Sequence, residues 1–240
     1  MSIIFYLHKI NFFIVIFFLL FPSHLFPIVL LVDPGHSPKS PGATSCAGAP
    51  EYLYNDNLAS FIANNIKDKD IRIELSRKPG EERELRERAA LSKDFDLFLS
   101  IHHDSVQPRF IQKINNAPVS RKASGYSLFI SGKNPRYYDS LAFAKDLAVE
   151  LRRRGLAPSS HHSEAISGEN KVPVDETLGI YLYDDLVVLK NAAVPAVLLE
   201  AAVIVHPEDE ALAISEPFKQ IMADAVKSAV AKHRVRFKAQ

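Results

Sequence analysis

The chain has 240 residues, of which 47% are hydrophobic and 24% are charged, and its formal net charge is +1. This composition is typical of a globular protein and predicts one domain behind an N-terminal segment. The near-zero charge gives no basic footprint, so we expect no nucleic-acid partner. Cys46 is the only cysteine, which excludes an intrachain disulfide and a thiolate metal cluster and leaves histidine and carboxylate as metal ligands.

The N-terminal segment predicts export from the cell. Lys9 precedes an almost continuous apolar run from Ile10 to Pro22, which is the order of charged and hydrophobic regions in a signal peptide. The run is short for a membrane span, which needs about 20 apolar residues. We therefore expect residues 1–26 to be either a signal peptide or a retained anchor that contacts the membrane, and residues 27–240 to form a domain in the periplasm or cell envelope. A buried core helix is the alternative interpretation of this run.

Strands and helices alternate along the rest of the chain. Ile28 to Val32 is a β-branched and leucine run that stops at Asp33-Pro34-Gly35, which predicts a strand buried on both faces. After a loop, helical spacing predicts a helix with Glu51 at its start. We predict further strands at 71–75, 96–102, 126–130 and 196–199, and further helices at 81–91, 137–154 and around 218–229. This order predicts an α/β single domain, with a mainly parallel or mixed central sheet and helices on both faces.

Two segments without periodicity, 107–124 and 158–175, are predicted to be irregular, and whether either gates a site is left open. His161 and His162 lie in the second segment. Because no predicted strand fixes them, we expect them to be exposed to solvent and not to be ligands. Cys46 lies in a loop and is expected to have no role.

Polar side chains of catalytic type follow three of the predicted strands. His36 comes after the first strand and a Pro-Gly turn, His102 lies near the end of another, and Glu200 follows a third. Ligands gather beyond the carboxyl ends of strands in such sheets. Two histidines and one carboxylate, with a fourth position open to water, are a ligand set of catalytic zinc, whereas magnesium and calcium prefer oxygen alone.

Each of these residues also has an ordinary interpretation. His36 is then a turn histidine bonded to backbone, His102 a buried hydrogen-bonded histidine, and Glu51 a charge that complements the start of a helix. Glu200 fits such an interpretation less well, because an acid after an apolar strand is costly to bury unless it is paired or functional.

Four separated motifs resemble one known family, the zinc-dependent N-acetylmuramoyl-L-alanine amidases of the type 3 catalytic domain. The resemblance covers nearly all of the chain after the N-terminal segment. The motifs are Asp33-Pro34-Gly35-His36, Glu51 at a helix start, Ser100-Ile101-His102, and the segment from Pro195 to Glu200, and Arg77 and the segment from Leu85 to Arg88 resemble two more.

The resemblance implies that His36, Glu51 and His102 hold Zn²⁺ and that Glu200 is the catalytic carboxylate. It implies hydrolysis of the amide between N-acetylmuramic acid and L-alanine, with the glycan strand and stem peptide of peptidoglycan as the partner, by a protein we expect to be monomeric. A zinc hydrolase of another peptide or acyl-amino-acid amide is the alternative. A catalytically silent peptidoglycan-binding module is a third possibility.

The sequence departs from the family pattern beside two of these motifs. His103-Asp104 stands where the family usually has Ala-Asn, and Ala201 and Ala202 stand where it commonly has Gly-Phe. Since successive strand side chains face opposite ways, only one of His102 and His103 should face the metal, and the family register selects His102. Asp104 is expected either to orient a ligand histidine or to cap a turn.

Overall fold

The structure is a computed structural model, which describes residues 27–169 and 171–238. The segment 1–26, for which the sequence predicts export, lies outside these residues. The domain boundary at residue 27 therefore stays a prediction. Within the two described ranges, no helix has both the length and the hydropathy that crossing a bilayer requires.

Seven strands form one mixed sheet, namely β1 (Ile28–Pro34), β2 (Ile71–Leu75), β3 (Leu97–Asp104), β6 (Ser127–Ile130), β7 (Val172–Asp175), β8 (Ile180–Leu182) and β9 (Ala196–Val203). Two further strands, β4 (Gln112–Ile114) and β5 (Ala117–Val119), form a separate hairpin. The order in the sheet is β2-β1-β3-β9-β6-β8-β7. Strands β1, β2, β3 and β9 run parallel to one another, β6 is antiparallel to β9 but parallel to β8, and β7 is antiparallel to β8. The fold class predicted from the alternating pattern is thus confirmed.

Helices cover both faces of the sheet, as predicted. Their bounds are α1 (Glu51–Asn65), α2 (Leu85–Leu91), α3 (Tyr137–Arg153), α4 (Val187–Asn191), α5 (Pro207–Ala213) and α6 (Glu216–Lys238). On one face, α1, α3 and α6 bury Leu58, Phe143 and Met222 in the larger apolar core. On the other face, α4 packs Leu189 against Phe98 of the central strand β3.

Several predicted boundaries need correction. The helix predicted at 81–91 begins only at Leu85, because a turn closed by the bond from the Glu81 amide to the Lys78 carbonyl comes first. The irregular segment 107–124 contains the β4–β5 hairpin, whose Asn115 and Asn116 have φ of 50° and 66°, the positive values of a type I′ turn. The segment 158–175 contains β7 and a single 3₁₀ turn, and β8 and α4 were not predicted because three and five residues are too short to show a period.

The sheet places the ends of its central strands side by side. Asp33 of β1 pairs with Ser100 of β3, and His102 of β3 pairs with Glu200 of β9. Strand β9 continues to Val203. Glu200 therefore lies within this strand, whereas the sequence predicted that it follows the strand. Because β1, β3 and β9 are parallel, their carboxyl ends meet at one edge, where the predicted residues come together.

Candidate metal centre

The structure brings His36, Glu51 and His102, here called the metal triad, into direct contact. His36 Nε2 lies 3.1 Å from Glu51 Oε2, and His102 Nδ1 lies 3.1 Å from Glu51 Oε1. One ligand atom from each residue lies within 4.8 Å of the others. Three residues from a turn, a helix start and a strand thus converge on a space of the size that one cation fills.

His36 is held in an unusual backbone conformation. Its φ is 59°, in the left-handed region that residues other than glycine seldom adopt and that clusters at functional sites. The Ser40 carbonyl lies 3.1 Å from His36 Nδ1, and Arg77 Nη2 donates to the His36 carbonyl at 2.7 Å. These contacts fix the ring so that Nε2 faces Glu51, and they give Arg77, one of the motif residues, a structural role.

Two glycines allow the loops to approach the metal triad closely. A Cβ atom on Gly35 would lie 2.2 Å from His102 Nε2, and one on Gly42 would lie 2.3 Å from Glu51 Oε2. Gly42 also has a φ of 76°, which a side chain would disfavour. No larger residue fits at either position without moving the triad.

Glu51 is buried and multiply hydrogen-bonded at the first residue of α1. Its carboxylate accepts from the amide of Ala43 at 3.0 Å, from Asn55 Nδ2 at 3.0 Å and from the amide of His103 at 3.3 Å. Burial alone would raise the pKa of Glu51, but the hydrogen bonds from His102 and then His36 outweigh it and hold the pKa well below its usual range. Glu51 is therefore an anion at neutral pH, with the charge that an oxygen ligand of a metal needs.

The two neighbouring histidines of β3 have different surroundings. His102 contacts Glu51, and burial lowers the pKa of its imidazole, which keeps the ring neutral as a metal ligand must be. His103 Nδ1 lies 2.8 Å from Asn55 Oδ1, and burial lowers the pKa of His103 to about 4. His103 therefore supports Asn55, which in turn donates to Glu51.

Glu200 lies directly beside the metal triad, in register with His102. Its Oε2 is buried and has no hydrogen-bond partner among residues 27–169 and 171–238. Burial, followed by the negative charges of Asp104 and Glu51, raises the pKa of Glu200 well above its usual value. A carboxyl group with a raised pKa is suited to exchange protons near neutral pH.

A cleft of about 530 Å³ opens onto these groups. His36, His102 and Glu200 line it together with the basic side chains of Lys39 and Arg83. Glu200 also lines a second cleft of about 200 Å³. Glu200 therefore borders two clefts, both open to a substrate.

The Asp33 carboxylate of the first motif anchors the strand edge. Arg88 donates to it through Nε and Nη2, both at 2.7 Å, and Ser100 Oγ donates at 2.9 Å. Asp33 and Arg88 are both buried. This bidentate pair ties α2 to the ends of β1 and β3, and Arg88 also lines the cleft of about 530 Å³.

The expectation that His161 and His162 are exposed to solvent was wrong. Only 4% of His161 and 7% of His162 are exposed, because the segment folds back over the sheet and stacks His162 edge-on against Phe129, with ring centroids 4.8 Å apart. Burial opposes ionisation of His162, but the carboxylates of Asp104 and Glu169 outweigh it and raise its pKa to about 9. Neither tertiary contact is visible in the local sequence.

Asp104 also differs from both of its predicted roles. Its Oδ2 lies 2.8 Å from His162 Nε2 and 3.3 Å from His161 Nε2. The carboxylate therefore faces the segment 158–175, and its contacts are with these two histidines instead of with His36 or His102. The only trace of capping is the Ser105 amide, which donates to Asp104 Oδ1 at 2.7 Å.

Sequence reasoning also missed Asn55, although a signal for it existed. Asn55 lies four residues after Glu51, and residues at this spacing share a helix face. Cys46 is half-buried, and burial followed by the charge of Glu210 raises the pKa of its thiol to about 11. A thiol with a raised pKa is mostly protonated at neutral pH, which lowers its reactivity.

Known proteins share this arrangement of elements. A family model described as N-acetylmuramoyl-L-alanine amidase matches residues 30–232. The N-acetylmuramoyl-L-alanine amidase AmiA of Escherichia coli is 24% identical over 224 residues, which cover 84% of this chain and 74% of AmiA. Among solved structures, the amidase Ami1 of Mycobacterium smegmatis is similar with a TM-score of 0.69 and 20% identity, over 88% of this chain and 98% of that chain. The catalytic domain of the amidase CwlV from Bacillus (Paenibacillus) polymyxa gives a TM-score of 0.65 and 21% identity, over 87% and 98% of the two chains.

Proposed function

The chain belongs to the N-acetylmuramoyl-L-alanine amidase family, and on this premise we propose that it is a zinc-dependent hydrolase of the amide between N-acetylmuramic acid and L-alanine in peptidoglycan. The observation that carries the proposal is the contact of His36, Glu51 and His102 beside Glu200. The buried Oε2 of Glu200 has no hydrogen-bond partner in the described part of the chain. If the triad bound no cation and Glu200 transferred no proton, burying these polar groups at the sheet edge would cost folding free energy without a functional return.

The residues of the metal triad fit zinc. Two imidazoles and one carboxylate are a ligand set that zinc uses in hydrolases, and a fourth position is then left for water or substrate. The ring orientation of His36 is set by the Ser40 carbonyl at Nδ1, the kind of outer contact that metal-bound histidines need. The space that side chains on Gly35 and Gly42 would fill is kept open for the ligands.

Glu200 is proposed to move the protons of the reaction. When bound, zinc would supply Lewis-acid chemistry that polarises the scissile carbonyl and acidifies water. Glu200 takes a proton from the attacking water as the new carbon–oxygen bond forms. It then gives this proton to the amide nitrogen as the carbon–nitrogen bond breaks, which yields the lactoyl carboxylate and a free amino group on alanine. No covalent intermediate with the protein is needed.

The larger cleft is proposed to hold the substrate. Lys39 and Arg83 line it beside the acidic Glu82 and Glu84, and the two basic side chains are proposed to pair with carboxylates of a stem peptide. Because peptidoglycan lies outside the cytoplasmic membrane, the proposed function requires the export that Lys9 and the apolar run from Ile10 to Pro22 predict. We therefore propose that the domain acts in the periplasm or cell envelope.

Purified sacculi provide the test. The full chain, purified in mild detergent, is expected to release soluble peptides with a new N-terminal alanine. Glu200→Gln should lower this rate by about 10² to 10⁴, the usual contribution of general acid–base catalysis, while bound zinc is retained. Glu74→Gln is the matched control, because Glu74 on β2 is about half exposed, pairs with Arg72 and lines neither cleft. The control should keep near wild-type activity.

Other outcomes would redirect the proposal in defined ways. Cleavage of other amides only would favour the alternative of a different peptide or acyl-amino-acid substrate, and binding without release would favour a silent peptidoglycan-binding module. Full activity and full zinc in Glu200→Gln would shift the role of base to another acid, with Asp104 first. Loss of zinc from that variant would make Glu200 a ligand and Glu51 a helix-start charge.

A further inference from the structure

A second cluster of residues with metal-ligand chemistry, formed by Asp104, His161 and His162, lies beside the smaller cleft that Glu200 also lines. His162 Nε2 and His161 Nε2 lie 2.8 Å and 3.3 Å from the same oxygen, Oδ2 of Asp104. One ligand atom from each of these three residues lies within 4.8 Å of the others. The donor set is again two imidazoles and one carboxylate.

The opposite nitrogen of each ring is already occupied. His161 Nδ1 lies 2.8 Å from Ser159 Oγ, and His162 Nδ1 lies 3.1 Å from Glu169 Oε2. Metal-bound histidines nearly always have such a hydroxyl or carboxylate contact on their other nitrogen, because it fixes the tautomer and the ring orientation. Both Nε2 atoms are thereby directed toward one point beside Asp104.

Burial makes this convergence costly without a ligand. His161 is 4% exposed and its Nε2 is buried, with no hydrogen bond to any residue in the described part of the chain. A buried ring nitrogen without a hydrogen-bond partner destabilises the folded state. The two rings also stack with centroids 3.8 Å apart, which holds both side chains in place. A cation between the rings and Asp104 would satisfy all three groups.

We propose that Asp104, His161 and His162 form a second site for a divalent transition metal of the zinc class, separate from the metal triad. Imidazole ligands favour such an ion over magnesium or calcium. On binding, the proton on His162 Nε2 leaves to solvent and the metal takes its place beside Asp104. This site goes beyond the proposed function and does not depend on it, since it uses none of the triad's residues.

The location of the second site gives it access to substrate. Asp104 and His162 line the cleft of about 200 Å³ together with Glu200. Asp104 follows His102 by two residues on β3, a separation of roughly 7 Å along a strand. An ion there has an open side toward this cleft, where it can bind a carboxylate or carbonyl oxygen of a molecule held next to Glu200.

The test counts zinc ions per chain. The full chain in mild detergent is stripped with a chelator, dialysed against Zn²⁺ alone, and analysed for zinc by mass spectrometry. We expect two ions per wild-type chain and one per chain for His161→Ala, for Asp104→Asn and for His36→Ala. His206→Ala is the matched control, because His206 also pairs with a carboxylate, Glu208, but away from either site, and it should keep both ions. His161→Gln, with folding checked by circular dichroism, serves if His161→Ala does not fold.

A graded variant distinguishes metal binding from a purely structural cluster. Glu169→Gln keeps both direct histidine ligands but weakens the outer contact on His162, so the affinity of the second ion should fall roughly 10- to 100-fold while two ions still bind at saturation. One ion in the wild type, lost in His36→Ala and kept in His161→Ala, would overturn the second site and leave the proposed function standing. One ion lost in His161→Ala and kept in His36→Ala would do the reverse.

Discussion

A chain of hydrogen bonds between individual residues connects the metal triad to the protein interior. His103 Nδ1 contacts Asn55 Oδ1, and Asn55 Nδ2 donates both to Glu51 and to the Gly35 carbonyl. Asn55 thus positions both the Glu51 carboxylate and the turn that carries His36. The histidine that stands in place of the family's usual alanine therefore contributes to the site from behind, through Asn55.

This chain of contacts predicts different losses of zinc from the two histidines of β3. His102→Ala should lose the ion at the metal triad, as should His36→Ala, because each removes a ligand. His103→Ala should keep that ion at saturating zinc and bind it roughly 10- to 100-fold more weakly, the usual effect of losing an outer contact. Zinc titration of the three variants, followed by competition with a chelator, measures both quantities. A His103 variant without the ion, beside a His102 variant that keeps it, would mean that the ligand on β3 is His103.

The local sequence was enough to predict the site residues that lie near the ends of strands or at the start of a helix. His36, Glu51, His102 and Glu200 come together because parallel strands end at one edge and a helix begins there. The partners of Asp104 could not be found in this way, because His162 is 58 residues distant in sequence. Its segment has no periodicity and is held by packing against Phe129, which only the folded chain shows.

At the scale of elements, the face opposite the cleft is held by α3 and α6. The Glu150 carboxylate of α3 accepts from Lys232 Nζ of α6 at 2.5 Å and also pairs with Arg154. The hydrogen bond from Lys232, followed by that from Arg154, lowers the pKa of Glu150 to about 2. Arg154 in addition contacts Ser228 of α6 at 3.0 Å. One buried carboxylate therefore joins the last turn of α3 to the C-terminal helix.

Glu150→Gln should destabilise the protein in a pH-dependent manner. The folded-state pKa of about 2 lies below the ordinary glutamate pKa of 4.5, so the contribution is fully present above pH 4.5 and is lost as the pH falls toward 2. At pH 7 the free energy of unfolding should drop by on the order of 1 to 2 kcal/mol, as expected for hydrogen bonds to a charged group. Urea unfolding at several pH values measures this difference.

Glu74→Gln on β2 is the control for this measurement. Glu74 pairs with Arg72, but both side chains are about half exposed, and exposed ion pairs contribute little. Its free energy of unfolding should change by less than about 0.5 kcal/mol. A Glu150→Gln effect that stayed the same from pH 7 to pH 3 would show that side-chain packing, and not the charge, is responsible.

The elements that sequence analysis predicted well are those buried on both faces or long enough to show a period. Strands β1 and β3 and helices α1 and α3 carry continuous apolar runs or repeated apolar positions, and their bounds agree with the structure to within a few residues. The edge strand β7 pairs with β8, which also pairs with β6. That pairing, and not an apolar pattern, determines where these two short strands form.

At the scale of the whole molecule, the first core strand lies next to the predicted export segment. Strand β1 begins at Ile28, which is buried and whose amide donates to the Asp70 carbonyl at 3.0 Å. β1 lies between β2 and β3 in the sheet. Processing of the N-terminus must therefore leave Ile28 in place, and a retained anchor would keep the domain within a few residues of the membrane.

We expect the mature domain to begin between Leu25 and Ile28, or the intact chain to remain in the membrane fraction, and in both cases to lie outside the cytoplasm. Mass spectrometry of protein from an envelope fraction distinguishes the two by the mass of the N-terminal peptide. Replacing both Ile14 and Phe18 with arginine should hold the chain in the cytosol, because each charge in the apolar run costs about 2.5 to 3.5 kcal/mol on insertion. Val172→Arg, a similar change at an exposed position of β7, should leave export unaffected.

If the unaltered chain is recovered whole from the cytosol, export is refuted, and the buried core helix becomes the interpretation of the run from Ile10 to Pro22. No cleavage before β1 would then be needed, and the enzyme could reach peptidoglycan only if it left the cell by another route.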